Sequence, residues 1–87
     1  MVDKHTVRTP GEALAYMVDC TLATVETLAM KKSRSKAEFE RQVAMGQSGV
    51  DWMRSMKVDF STTRAKEVVE TYNGNVMKWA ERWFPKG

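Results

Sequence analysis

The stretch from Glu12 to Met30 constrains this chain more than any other, because it is apolar or small on nearly every side. Placed at about 100° per residue, Leu14, Val18, Leu22, Val25 and Ala29 form one line, and Tyr16, Cys20, Ala23, Thr27 and Met30 form another roughly opposite. The remaining wedge holds Glu12, Asp19 and Glu26, seven residues apart and therefore stacked. The pattern predicts a central helix with two apolar stripes, each needing its own neighbours, and one acidic face turned to water.

Helix boundaries can be read on either side. Thr9-Pro10-Gly11-Glu12 places a capping Thr, a Pro at the first helical position and an acidic residue in the first turn, which satisfies orphan amides and suits the helix dipole. Residues Met1 to Arg8 show no helical period, so a flexible N-terminal arm over 1–8 and one helical domain over 9–87 are expected. Lys31 and Lys32 follow the first helix where the carbonyl end favours cations. Ser35-Lys36-Ala37-Glu38 is a capping box, so a second helix starts after a short turn and runs antiparallel to the first.

Along that second helix Phe39, Val43, Gly46, Val50 and Met53 repeat at four and three, giving one core stripe. Gly46 on the stripe suggests close backbone approach to the first helix. Gly46-Gln47-Ser48-Gly49 is the weak point, where two glycines cost roughly 1 kcal/mol each against Ala and could kink or split the helix; the reading here keeps it continuous. A second set, Met45, Trp52 and Met56 with Gly49 beside it, projects from another side. Phe60 before Ser61 has the layout of a hydrophobic staple, and Ala65, Val69, Tyr72, Val76, Trp79 and Trp83 then keep a helical period. That period passes through Asn73-Gly74-Asn75 without a phase break, predicting one third helix from Thr62 to about Phe84, ended by Pro85.

The fold class expected is therefore all-α, a three-helix antiparallel bundle. With 87 residues the chain is near the size where burial only just outweighs chain entropy. Two helices are also too few to cover both stripes of the first. A homo-oligomer, most simply a two-fold dimer, would complete the burial.

Chemistry has no visible carrier. His5 is the only histidine and has no ligand cluster at metal spacing, so no metal or cofactor is expected. Cys20, the only cysteine, lacks an activating neighbour in the sequence and reads as an inert core thiol on an apolar stripe. Successive members of the Glu12, Asp19 and Glu26 line would lie about 10 Å apart, too far to share one ion. Gly46 and Gly49 fit no phosphate-binding loop. A single cysteine that cannot pair within the chain, no recognisable leader and acidic residues inside the most apolar stretch point to a cytoplasmic protein rather than a membrane one.

What remains is surface. Met45, Gly49, Trp52 and Met56, with Tyr16 and Cys20 on the first helix, have the composition of a protein interface. The favoured expectation is a small non-catalytic interaction module, an inhibitor, adaptor or assembly factor, of the economical kind met in phages and mobile elements. Lys31, Lys32, Arg34 and Lys36, four cations in six residues at a turn, support two alternatives: a nucleic-acid-binding accessory protein, or an oligomer holding a small anionic ligand. Against the nucleic-acid alternative, no aromatic interleaves this run. A net charge of +3 permits acidic partners without demanding them.

Overall fold

A computed structural model describes residues 10–58, 60 and 63–85, and its regular structure is entirely helical. The elements are α1 (Pro10–Ala29), α2 (Lys36–Ser55), α3 (Thr63–Tyr72) and α4 (Val76–Glu81). The all-α class stands, but three helices become four among the described residues. The N-terminal arm, the Thr9 cap and the Ser61 cap lie outside the described residues.

α1 and α2 form an antiparallel hairpin joined by the turn over 30–35. The capping residue Ser35 is extended (φ −69°, ψ 119°), and its Oγ accepts a hydrogen bond from the Glu38 amide at 3.3 Å. α2 stays unbroken through Gly46 and Gly49, and its predicted stripe of Phe39, Val43, Gly46, Val50 and Met53 is buried throughout. The glycines are there for proximity. A Cβ on Gly46 would meet Leu22 Cδ2 at 3.2 Å, and one on Gly49 would meet Val18 Cγ2 at 2.6 Å. Steric closeness of this kind offsets the propensity cost of glycine inside a helix.

α2 ends in a Schellman arrangement. Lys57 takes φ 56°, and the Val58 amide reaches back to the Met53 carbonyl at 2.9 Å. A left-handed lysine where glycine is preferred costs about 1 kcal/mol, and the half-buried Val58 packs on the core in return.

The uninterrupted third helix expected from periodicity does not form. Asn73 (φ 52°) and Gly74 (φ 82°) are both left-handed, so the backbone cannot continue α3. The Gly74 amide bonds the Val68 carbonyl at 2.8 Å, and Asn75 caps α4, its Oδ1 accepting from the Lys78 amide at 3.0 Å. Gln47 of α2 holds the break from outside: its Nε2 donates to the Gly74 carbonyl at 2.7 Å while its Oε1 accepts from the Val76 amide at 3.0 Å. Local turn chemistry prevails over period because one side chain from another helix satisfies the backbone groups that the break frees. The apolar rows of α3 and α4 still reach one core, where Ala65, Val68, Val76, Trp79 and Ala80 are buried with Val18, Leu22, Val25 and Met53.

Two charge contacts fasten the helices. Arg64 Nη1 lies 3.5 Å from Asp19 Oδ2, and Arg64 Nε lies 3.5 Å from Glu26 Oε2, the second an ionic contact without hydrogen-bond geometry. Asp19 and Glu26 are therefore a half-buried docking edge for α3, not the solvated face the spacing suggested. Glu67 of α3 accepts from the buried Trp79 indole at 2.8 Å and pairs with Arg82 at 2.7 Å. Those two donors hold the Glu67 carboxyl below its ordinary range, and the Glu67 carboxylate in turn raises Arg82.

Candidate interaction surfaces

Burial of Val18, Leu22, Val25 and Ala29 on one side of α1 leaves the opposite side exposed. From Ala13 to Met30 the only charged residues are Asp19 and Glu26, and both face Arg64. The outward arc consists of Ala13, Tyr16, Met17, Cys20, Ala23, Thr24, Thr27 and Met30. Thr24 and Thr27 donate their hydroxyls to the carbonyls four residues back, at 3.1 and 3.0 Å, and Thr21 beside them does the same at 3.1 Å. Hydroxyls used in this way are already engaged within the helix. The result is a helix face with no charged side chain. Cys20 lies on it and is exposed, which corrects the reading of a core thiol.

A second surface runs between α1 and α2. It is a groove of about 450 Å³ lined by Leu14, Met17, Val18, Thr21, Arg41, Ala44, Met45, Ser48, Gly49 and Trp52. Met17, Met45 and Trp52 on its walls are 63%, 53% and 59% exposed, unusual values for large apolar side chains gathered on one patch. Gly49 forms part of the floor because the absence of a Cβ lets Val18 sit against α2. The sequence grouping of Met45, Gly49 and Trp52 is thus brought together, and Met17 and Leu14 join it from α1. Met56 is half-exposed at the end of α2 but does not line the groove, and Tyr16 and Cys20 belong to the α1 face instead.

The third surface surrounds the basic turn. Lys32, Arg34 and Lys36 line a groove of about 390 Å³ together with Phe39, Glu40, Met77 and Phe84; Lys31 is exposed outside it. Arg34 is held in place, its guanidinium carbon 3.9 Å from the Phe84 ring centre and 5.3 Å from that of Phe39. One of its N–H groups bonds the Lys31 carbonyl at 3.0 Å, which covers the open end of α1. The two rings meet edge to face at 5.5 Å. Sequence reading missed Phe39, Met77 and Phe84 as members of this site. Phe39 could have been found three residues after Lys36, on the same helix edge; Phe84 arrives from the far end of the chain and left no local signal.

Among the described residues, no group of three His, Cys, Asp or Glu side chains is placed to hold a metal ion. None of the described helices is long and apolar enough to cross a membrane. No protein family, curated protein or solved structure gives a significant match to this chain.

Proposed function

We propose that this chain is a small non-catalytic interaction module, working as a homo-oligomer, whose α1–α2 groove takes an apolar segment of a protein partner. The observation that carries the reading is the groove itself, with Met17, Met45 and Trp52 exposed around a glycine floor. Methionine and tryptophan give an adaptable apolar wall and a large anchoring ring, the side chains that dominate binding energy at protein interfaces. Arg41 at the edge supplies one cation for orientation. An inhibitor, adaptor or assembly factor needs no more than this, and a phage or mobile-element setting suits so compact a chain. The test is affinity capture from the native host with wild type and with Met45→Ala combined with Trp52→Ala. Proteins retained by wild type should be lost from the variant at unchanged helicity, with nuclease treatment making no difference. Equal retention by both would refute the assignment.

A second reading, a nucleic-acid-binding accessory protein or a holder of a small anionic ligand, is favoured by the clamped Arg34 beside Lys32 and Lys36 over two phenylalanine rings. Cations with an aromatic floor suit a phosphate attached to a planar group. It predicts binding of a single-stranded oligonucleotide or a nucleoside phosphate that weakens with salt and falls at least tenfold in Arg34→Gln. Salt-independent affinity, or none, would remove it.

A further inference from the structure

We infer that the uncharged outer face of α1 pairs with the same face of a second copy, the two helices running antiparallel about a two-fold axis midway between Thr21 and Leu22. This rests on the reading of the chain as an oligomeric interaction module, and it names the surface and register of the oligomer. The seam residues do not line the α1–α2 groove, which adjoins the face at Met17 and stays open in both copies.

Ala13, Tyr16, Cys20, Ala23, Thr27 and Met30 alternate by three and four, the pattern of a helix–helix seam. Around that axis, Ala13 faces Met30 of the partner subunit, Tyr16 faces Thr27 of the partner subunit and Cys20 faces Ala23 of the partner subunit, each pair occurring twice. A large side chain opposes a smaller one at the outer pairs and two small ones meet at the centre, where the helices can approach closely, so the seam fits itself, as an isologous interface must.

The uncharged face is bounded by Glu12 at one end and by Lys31 and Lys32 at the other. The register that matches large to small also sets Glu12 beside Lys31 of the partner subunit, at both ends. A parallel arrangement would instead set like charges together, which is unfavourable. Antiparallel α1 helices also oppose their dipoles favourably.

A seam of this length spans about 26 Å, and two helices in contact over it bury on the order of 1,000 Å² in total, near the lower limit for a specific interface. The dimer should therefore be reversible, with a dissociation constant on the order of micromolar.

Sedimentation equilibrium of the full chain over roughly 1–200 μM tests the association, and crosslinking tests the register. Expected are a monomer–dimer equilibrium for wild type and a monomer for Ala23→Glu at unchanged helical circular dichroism. Thr27→Glu serves as a second seam variant should the first fail to fold. In a Cys20→Ser background, a short bis-maleimide should join Ala13→Cys chains to Met30→Cys chains when the two are mixed, and should join neither to itself. A single monomer at every concentration overturns the proposal, as does self-crosslinking of the Ala13→Cys chains, which would mean parallel helices. Partner capture that survives Ala23→Glu leaves the groove reading intact. A dimer that survives Met45→Ala with Trp52→Ala while capture is lost separates the two surfaces in the other direction.

Discussion

Replacing Gly49 by alanine should destabilise the protein although alanine is the better helix former, and the margin can be worked from two contacts. Alanine inside a helix gains about 1 kcal/mol over glycine. Against that, the new Cβ would stand 2.6 Å from Val18 Cγ2. Val18 is buried and β-branched, with one favoured rotamer in a helix, so it cannot swing aside. Overpacking of this kind costs about 1–3 kcal/mol, leaving a net loss of about 1 kcal/mol. Gly46 is the internal control. The tightest neighbour of its Cβ would be Leu22 Cδ2, the far end of a longer side chain, at 3.2 Å, with Val76 Cγ1 and Thr21 Cγ2 at ordinary contact distances of 3.6 and 3.7 Å. Gly46→Ala should therefore be neutral or slightly stabilising. Urea unfolding followed by helical circular dichroism measures both, at one fixed protein concentration, since the proposed self-association would add to apparent stability. In a Val18→Ala background the obstruction is gone, and Gly49→Ala should become stabilising by about 1 kcal/mol, a coupling of about 2 kcal/mol in the double-mutant cycle. Gly49→Ala at least as stable as Gly46→Ala, or no coupling to Val18, would refute the view that Gly49 is there for close packing.

Three other outcomes follow from the same geometry. Gln47→Ala leaves the Val76 amide and the Gly74 carbonyl without their partner and should cost about 1–3 kcal/mol, with faster hydrogen exchange at Val76 as its local signature; exchange unchanged there would mean that the break is self-supporting. Lys57→Gly relieves a left-handed lysine and should stabilise by about 1 kcal/mol, read as a higher urea midpoint. Glu67, whose folded carboxyl lies below its ordinary value of about 4.5, contributes stability that is complete above that value and lost as pH falls through the lower folded one. The stability gap between wild type and Glu67→Gln should thus be widest near neutrality and close in acid. Glu67→Ala should be worse than Glu67→Gln because it also strands the buried Trp79 indole N–H.

How legible this structure was depends on where each determinant sits in the sequence. Capping and periodicity are local, so α1, α2 and the stripe from Phe39 to Met53 could be read directly, as could the approach of Gly46 to α1. The break at Asn73 and Gly74 is carried by Gln47, 27 and 29 positions from the backbone groups it bonds. Period alone therefore outweighed turn chemistry when the chain was read in order. Asp19 and Glu26 looked solvated for the same reason, since their partner Arg64 is on another helix. In the surfaces, Met45, Gly49 and Trp52 share one helix and were visible together, whereas Met17 and Leu14 came from the neighbouring helix and Phe84 from the end of the chain.

Charged residues make up 29% of the chain, so an 18-residue run at that average would hold about five of them on a water-facing helix. Ala13 to Met30 holds two, and Arg64 draws both away from the outward arc. α2, equal in length, carries Lys36, Glu38, Glu40, Arg41, Asp51 and Arg54, all exposed. Two helices of one hairpin therefore face water by opposite rules. Nothing in the packing of the described residues requires this, since an exposed position on α1 would accept Lys or Glu at no cost to the core and with a gain in solubility. Charge withheld from one face, and placed with opposite signs at its two ends, is what the proposed α1–α1 pairing accounts for, and on that proposal Ala23 and Thr27 are the positions where one added carboxylate should change the behaviour of the protein in solution most.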